Sequence, residues 1–293
     1  MGELAQILVS GILLGGIYAI ISIGLTMIFG VIRIVNFAHG EFLMLAMYFT
    51  YMLFQRGLDP YKSVVFIAPV FFLVGVLVQR ILIQPILETP PTVKILSTLG
   101  LSVALQNLAL MLWKADYRTI KTSYQDAVLR IGPTVLSYPK LIAFLVTMLI
   151  AALLFIFLKG TFLGKAIRAV AQDREAAKLM GINVYNVYLI AFGIGIALVG
   201  VAGALLMPIY YVFPTVGQLF VLISFVVVVL GGMGSIPGAF VGGLIIGVVE
   251  SLAGAFIDPQ LKEAVYFVIF FLLLLFKPSG IFGVKGGAGG VRA

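Results

Sequence analysis

The sequence predicts an all-α polytopic membrane protein with about eight or nine transmembrane helices, some of them broken or re-entrant. Hydrophobic residues make up 62% of the 293 residues and charged residues only 10%, well below the roughly 25% charged share of soluble domains. Apolar stretches of about 20 residues recur from end to end, which is the length a helix needs to cross a hydrocarbon core of about 30 Å. The alternating pattern of membrane barrel strands is absent. No polar run is long enough for a second core, so we expect residues 1–293 to form a single transmembrane domain.

Composition excludes several classes of site. The chain has no cysteine, which excludes disulfides and thiolate metal sites, and its single histidine excludes a histidine-cluster metal site. The formal net charge of +8 comes from basic residues in short loops beside the spans, where they set membrane orientation and do not indicate nucleic-acid binding. The N-terminus carries Glu3 and no basic leader, so the first apolar run is expected to be a retained span. We therefore expect a membrane-embedded chain that binds no metal, cofactor or nucleic acid.

Nine candidate spans follow one another along the chain. They cover residues 5–29, 38–54, 63–79, 95–113, 140–158, 187–211, 218–231, 236–257 and 263–276. The seventh is short and ends in the glycine-rich run 231–238, which favours a broken or re-entrant element. A similar break is expected at 36–41. Two such breaks are typical of the inverted repeats of transporters, although residue matching between the halves is too poor to establish a repeat.

Basic residues give the orientation. One basic group lies between spans five and six, and a second follows the last span; their members are Lys159, Lys165, Arg168, Arg174 and Lys178, then Lys277, Lys285 and Arg292. Four spans separate the groups, so both are predicted to be cytoplasmic, with the N-terminus outside. The 114–139 loop is also basic, so charge alone decides the orientation weakly. The tail after Pro278 has the composition of a flexible end.

A polar segment at 168–183 interrupts the apolar runs. Asp173 can cap the start of a helix, and Gly181 can adopt the left-handed conformation that ends one, which predicts a helix of about two turns. Glu175 offers a charged contact, and the small Ala176 and Ala177 would let the helix seat deeply in a partner. The alternative is an ordinary amphipathic connector.

Polar residues also occur inside the predicted spans. Asn36, His39 and Glu41 lie at the edge of an apolar region, and the predicted topology places them near the cytoplasmic face. We therefore expect them to form an inner gate or a helix-breaking network, with His39 bonded to a backbone group. A direct substrate contact is the less favoured alternative.

Glu250 lies well inside the eighth span without a basic neighbour at helical spacing. Its side chain must find a partner on another helix, face water or be protonated. Its role could be to couple transport to protons, to bind the ammonium group of a substrate, or simply to extend toward the outer end of its helix. Gln106 and Asn107 add neutral polar groups to span four, where bonds between helices are their usual use. The sequence predicts Asn36, Gln106, Asn107 and Glu250 as the lining of a translocation path.

The run 231–238 is glycine-rich but is not a phosphate-binding loop. It lacks the Gly-Lys-Ser/Thr ending of a P-loop, and close helix packing explains it better. Gly231, Gly234 and Pro237 are therefore predicted to form a helix break or part of the inner gate. Tyr210, Tyr211 and Pro214 are expected at the outer interface, where a secondary possibility is docking of an external partner.

Four segments together carry a family resemblance. Residues 36–41, 164–173, 177–183 and 231–239 resemble, in order, the signatures of the LivH-type permease of branched-chain amino acid ABC importers. The resemblance extends from Gly11 to about Gly283. It implies an ABC importer permease fold in a bacterial or archaeal inner membrane, with a cytoplasmic C-terminus.

The same resemblance implies partners and roles. These are a homologous second permease forming a heterodimer, two cytoplasmic ATPase subunits and an extracytoplasmic substrate-binding protein. ATP would be used by the partners, so this chain would be no enzyme. The loop at about 159–186, with Asp173, Glu175, Ala176, Ala177 and Gly181, would couple to the ATPase.

Other functions stay open at this point. Relatives of the family carry branched-chain amino acids, but others carry urea, amides or aromatic acids, and no residue decides among them. A proton-coupled secondary carrier using Glu250 or His39 is the rival from another class. A scaffolding membrane protein is a third possibility, which the broken spans disfavour.

Overall fold

The computed structural model describes residues 2–132, 134–258, 261–277 and 279–283. Most of the tail expected to be flexible, with Lys285 and Arg292, lies outside the described residues. Within the described part the helices are α1 Gly2–Ile32, α2 His39–Gln55, α3 Pro60–Val78, α4 Pro91–Trp113, α5 Tyr138–Gly160, α6 Phe162–Gln172, α7 Arg174–Leu179, α8 Val184–Leu206, α9 Val216–Gly231, α10 Ile236–Phe256 and α11 Lys262–Phe276. A short hairpin of β1 (Val128–Ile131) and β2 (Thr134–Ser137) precedes α5.

The described helices confirm the all-α polytopic membrane fold. Six are long and apolar enough to cross a membrane: α1, α3 with its extension to Ile86, α4, α5, α8 and α10. α9 and residues 264–276 of α11 are shorter apolar helices. Each of the nine predicted spans coincides with one helix, α2 included.

The core is built on α1 and α8, and α10 packs against α1. Of the 18 most apolar consecutive residues in each helix, 83% are buried in α1 and 78% in α8. The corresponding share in α4 is 17%, so its apolar side chains point outward. α1 and α10 pack backbone to backbone: a Cβ at Gly11 would lie 2.7 Å from Val248 Cα, and one at Gly15 would lie 2.8 Å from Gly243 O. Small residues therefore allow the close helix contact that the glycine spacing predicts.

Two helices begin inside the bundle. After α1 the chain reverses at Arg33, in a left-handed conformation with φ 60°, and returns along α1. His39, the first residue of α2, places Nε2 2.9 Å from Ile21 O, which is roughly 16 Å before the end of α1 at a rise of 1.5 Å per residue. α9 begins at the same depth, because Gly217 packs against Gly40. Such discontinuous helices are the pattern of inverted-repeat transporters.

The loops collect at two ends of the bundle. At one end, which we call the Tyr124 end, Tyr124 Oη donates to Asp59 Oδ2 at 2.6 Å, and residues 118 and 212 form a β-bridge. At the other, the Arg174 end, Arg174 pairs with Glu88 and lies beside Arg33. The described residues after α11 join this end, since Ile281 N donates to Leu230 O at 2.8 Å. The 161–183 segment and the residues following α11 therefore share one end.

Candidate translocation and coupling sites

The 161–183 segment folds into two short helices, α6 and α7, at the Arg174 end. Asp173 Oδ1 accepts hydrogen bonds from Glu175 N and Ala176 N, each at 3.0 Å, and so caps α7. Gly181 ends it with φ +81°, the left-handed conformation that favours glycine. The structure thus places both predicted cap residues at the two boundaries of one short helix.

The surface of α7 differs from the prediction. Ala177 is only 4% exposed and packs into the core of its own chain, so the expectation that it seats α7 in a partner is wrong. Its small size instead lets α7 lie close to the bundle. Ala176 and Glu175 are exposed. The apolar side chains available to a partner are Leu179 and Met180, 88% and 83% exposed.

A third strongly exposed apolar residue lies on the same loop. Phe162, at the start of α6, is 83% exposed. Apolar side chains this exposed on a loop with many charged residues are candidates for a protein contact. Sequence reasoning missed Phe162, Leu179 and Met180, because apolar residues are so common in a membrane protein that they do not mark a contact site. Only their position in a charged segment could have indicated that they are exposed.

Arg174 ties α7 to the connection between α3 and α4. Its Nη2 donates to Glu88 Oε1 at 2.8 Å, and its guanidinium carbon lies 6.0 Å from the centroid of the Tyr188 ring. The hydrogen bond and the charge of Arg174 lower the pKa of the Glu88 carboxyl, and Glu88 raises the pKa of Arg174. A cleft of about 570 Å³ adjoins this ion pair, and Arg33 and Lys94 are among its lining residues. The pair links α7 to the turn that precedes α4.

A polar cluster of Glu41, Ser102, Gln106 and Gln218, which we call the Glu41 cluster, lies deep in the bundle. Glu41 Oε1 accepts from Ser102 Oγ at 3.1 Å and from Gln106 Nε2 at 2.6 Å. Gln218 Nε2 in turn donates to Gln106 Oε1 at 3.2 Å. Glu41 is fully buried, Gln106 is half-buried and Gln218 is exposed. Residues of α2, α4 and α9 therefore form a polar chain that leads from a buried carboxylate to the lateral surface.

Two glycines position this cluster. A Cβ at Gly217 would lie 2.5 Å from Gly40 O and 2.6 Å from Glu41 Oε2. The first turns of α2 and α9 therefore cross in backbone contact, directly beside the carboxylate. Free N–H groups and the helix dipole give each of these ends partial positive charge, which favours an anion at this position.

Asn36 and His39 hold the break before α2. Asn36 Oδ1 accepts from Ala38 N at 3.1 Å, and His39 Nε2 contacts the Ile21 carbonyl, as the expected bond to a backbone group requires. Both side chains are fully buried. The segment 36–41 does not lie at the end of the bundle that α1 reaches, because the reversal at Arg33 carries it back along α1 to the level of Ile21.

Glu250 has partners on two other helices. Tyr18 Oη of α1 donates to its Oε2 at 2.6 Å, and Lys262 Nζ of α11 lies 2.8 Å from its Oε1. Asn107, by contrast, donates to Val103 O of its own helix and faces outward. The four predicted path residues therefore do not form one site. Gln106 belongs to the Glu41 cluster, Glu250 is paired elsewhere, and Asn36 caps a local turn.

The glycine-rich run joins α9 to α10 at the Arg174 end. Gly232 and Gly234 have φ of +100° and +88°, and Gly231 contacts Gly238 through backbone atoms. Pro237 lies in the first turn of α10, which Ser235 caps. Phe282 N donates to Gly231 O at 3.1 Å, so the turn is also held by residues after α11. Within the described residues, no group of three metal-binding side chains occurs here or elsewhere.

Comparison with known proteins adds the family. The model for the permease component of the branched-chain amino acid transport system matches residues 7–275. The branched-chain amino acid permease BraD of Pseudomonas aeruginosa is 35% identical, with 95% of each chain covered. LivH of Escherichia coli K12 is 33% identical over 95% of each chain, and the probable LivH of Methanocaldococcus jannaschii is 30% identical, covering 97% of this chain and 94% of that one. No solved structure matches the chain.

Proposed function

This chain belongs to the permease family of branched-chain amino acid transport systems, and from that premise we propose that it is the membrane subunit of an ABC importer. It would carry branched-chain or related hydrophobic amino acids into the cytoplasm. The protein is a multi-pass membrane transport subunit. We place it in the inner or plasma membrane of a bacterium or archaeon, with its C-terminus and the Arg174 end cytoplasmic.

The proposal includes the partners that such an importer needs. These are a homologous second permease, two ATPase subunits at the Arg174 end and a substrate-binding protein at the Tyr124 end. ATP would be bound by the ATPases and not by this chain. The exposed Gln218 supports a protein or water contact on the lateral surface, because lipid offers no partner for the polar groups of this amide beyond the one hydrogen bond that its Nε2 donates to Gln106.

The observation that carries the proposal is the coupling surface of α6 and α7. Phe162, Leu179 and Met180 are more than 80% exposed on a loop that also carries several exposed charged residues. The helix below them is capped at both ends and tied to Glu88 by Arg174. Closure of an ATPase on this surface would move α7 and, through the Arg174–Glu88 pair, the turn before α4. α4 carries Gln106, which donates a hydrogen bond to Glu41.

Co-purification with ATPase activity tests this division of labour. The chain is expressed with its second permease and ATPase subunits, and hydrolysis is measured with and without the loaded binding protein. We expect the loaded binding protein to stimulate ATP hydrolysis by the complex, and we expect the subunit alone to hydrolyse no ATP. Hydrolysis by the isolated subunit, or failure of the ATPases to bind, would contradict the proposal.

A further inference from the structure

The Glu41 cluster has a feature that the coupling mechanism does not use. Glu41 is fully buried, yet only its Oε1 is hydrogen-bonded; among the described residues Oε2 has no partner. An ionisable group at membrane depth is costly and is a functional candidate by default. Glu250 provides the contrast, since Tyr18 and Lys262 occupy both of its oxygens.

The free oxygen faces the crossing of two helix starts. Oε2 lies beside Gly217 in the first turn of α9, and Glu41 itself is in the first turn of α2. The partial positive charge of both ends stabilises a carboxylate without occupying Oε2. The site therefore combines a buried carboxyl group between two helix starts with an unused acceptor, and this combination suits a cationic ligand group.

A polar approach to Glu41 already exists. Gln106 bonds both Glu41 and Gln218, and Gln218 is exposed on the lateral surface of the subunit. Each amide offers an oxygen as well as an N–H group. An ammonium group that loses its water at this depth would contact the amide oxygens first and then the carboxylate. Its hydrogen bonds to these oxygens would be strong because the donor is charged.

We propose that Glu41 binds the α-ammonium group of the amino acid during translocation, with Gln106 and Gln218 as the approach to it. This inference rests on the proposed function, because only an importer brings an amino acid to this depth. Glu41 would then select for a free amino group inside the membrane, in addition to any selection by the binding protein. Movement of α4 by the coupling segment would open the approach, since Gln106 bridges α4 to both α2 and α9.

Uptake of labelled leucine by the complete complex in liposomes gives the first test. Glu41→Gln keeps the shape and can still accept from Ser102 and Gln106, but it removes the charge. We expect uptake to fall at least about tenfold, since hydrogen bonds to charged groups are the stronger class. Glu41→Asp should restore part of it. Thr50→Val is the control, because Thr50 is buried in the same helix and, within the described part of the chain, its hydroxyl bonds only Ala46 O of that helix.

Wild-type uptake by Glu41→Gln would overturn the inference and leave Glu41 as a structural contact between α2 and α4. Loss of uptake in Thr50→Val as well would equally count against a specific role for the charge. If the unmodified complex imports no leucine, the proposed function itself fails, and the inference with it. The two failures are therefore distinguishable.

Site-specific labelling gives a second test that does not depend on the Glu41 variant. The chain contains no cysteine, so Gln218→Cys introduces a single thiol into this subunit. With Glu41 present, leucine-loaded binding protein and ATP should slow the reaction of this thiol with a small aqueous reagent; in Glu41→Gln they should not. If leucine does not change the labelling rate of Gln218→Cys in the protein that retains Glu41, the proposal is overturned. This result is decisive even if the Glu41→Gln variant fails to assemble.

Discussion

Arg174 and Glu88, which are 86 positions apart in the sequence, form an ion pair of 2.8 Å that joins α7 to the turn before α4. Both side chains are largely exposed, so the pair contributes little to folding stability. Its importance is positional, because it links the polar segment 168–183 to the turn before α4, a helix that reaches the Glu41 cluster. The lowered pKa of Glu88 keeps the pair charged at neutral pH; any stabilisation is present above the ordinary glutamate pKa and is lost as the pH falls through the lowered value.

A charge exchange tests whether this pair transmits the ATPase stroke. Glu88→Arg and Arg174→Glu should each reduce substrate-stimulated ATP hydrolysis and uptake, because like charges then separate α7 from α4. The double variant restores opposite charges and should recover much of both activities. The coupling energy from the double-mutant cycle is the measurement. Independent, additive losses in the two single variants would show that Arg174 and Glu88 act separately.

Gly181 allows a test of backbone conformation alone. Its φ is +81°, and a Cβ there would meet nothing within 4 Å, so only the left-handed conformation restricts the residue. Gly181→Val should disturb the end of α7, at a cost of ~1–2 kcal/mol, and weaken ATPase co-purification. Gly181→Asn is the matched control, since asparagine tolerates this conformation. If both variants co-purify with the same amount of ATPase subunit, the end of α7 at Gly181 does not contribute to the ATPase contact.

The apolar tip of α7 should contribute binding energy. Replacing Leu179 and Met180 by serine removes side chains that we expect to be buried on assembly, and each is worth ~1.5–3 kcal/mol when fully buried. ATPase affinity should therefore fall at least about tenfold. Leu129→Ser is the control, because Leu129 is 45% exposed in β1 at the Tyr124 end. A pull-down titration measures both; undiminished affinity in the double serine variant would place the interface elsewhere.

The crossing of α2 and α9 should tolerate no side chain. Gly217→Ala brings a Cβ to 2.5 Å from Gly40 O, and overpacking of this kind costs typically ~1–3 kcal/mol. Gly254→Ala in α10 meets nothing within 4 Å and should instead stabilise by ~0.5–1 kcal/mol through its helix preference. Thermal unfolding of the purified subunit in detergent measures both changes. A Gly217→Ala variant as stable as wild type would mean that the crossing is looser than the structure indicates.

Local patterns predicted the parts of the structure that local chemistry determines. Apolar run length gave nine helices, and Asp173 and Gly181 marked the boundaries of α7, because caps depend on a few neighbouring residues. Glycine spacing likewise indicated the close contact of α1 with α10. These features need no knowledge of distant residues.

The depth of 36–41 and the composition of the Glu41 cluster could not be predicted in this way. The reversal before α2 occurs at Arg33, a residue type with no preference for φ 60°, so no turn signal marks it. Glu41 and Gln106 are 65 positions apart, and Gln106 and Gln218 are 112 apart. Such contacts depend on the packing of whole helices. The inward face of Ala177 was missed for the same reason, since a small side chain fits either a partner or its own bundle.

Uptake of labelled leucine into liposomes tests the central claim most directly. The complete complex is reconstituted, and uptake is measured with ATP and the binding protein, with each omitted in turn, and with a pH step alone. We predict leucine uptake that requires both ATP and the binding protein and does not respond to the pH step. Uptake driven by the pH step alone, without ATP, would contradict the account and identify a proton-coupled carrier instead.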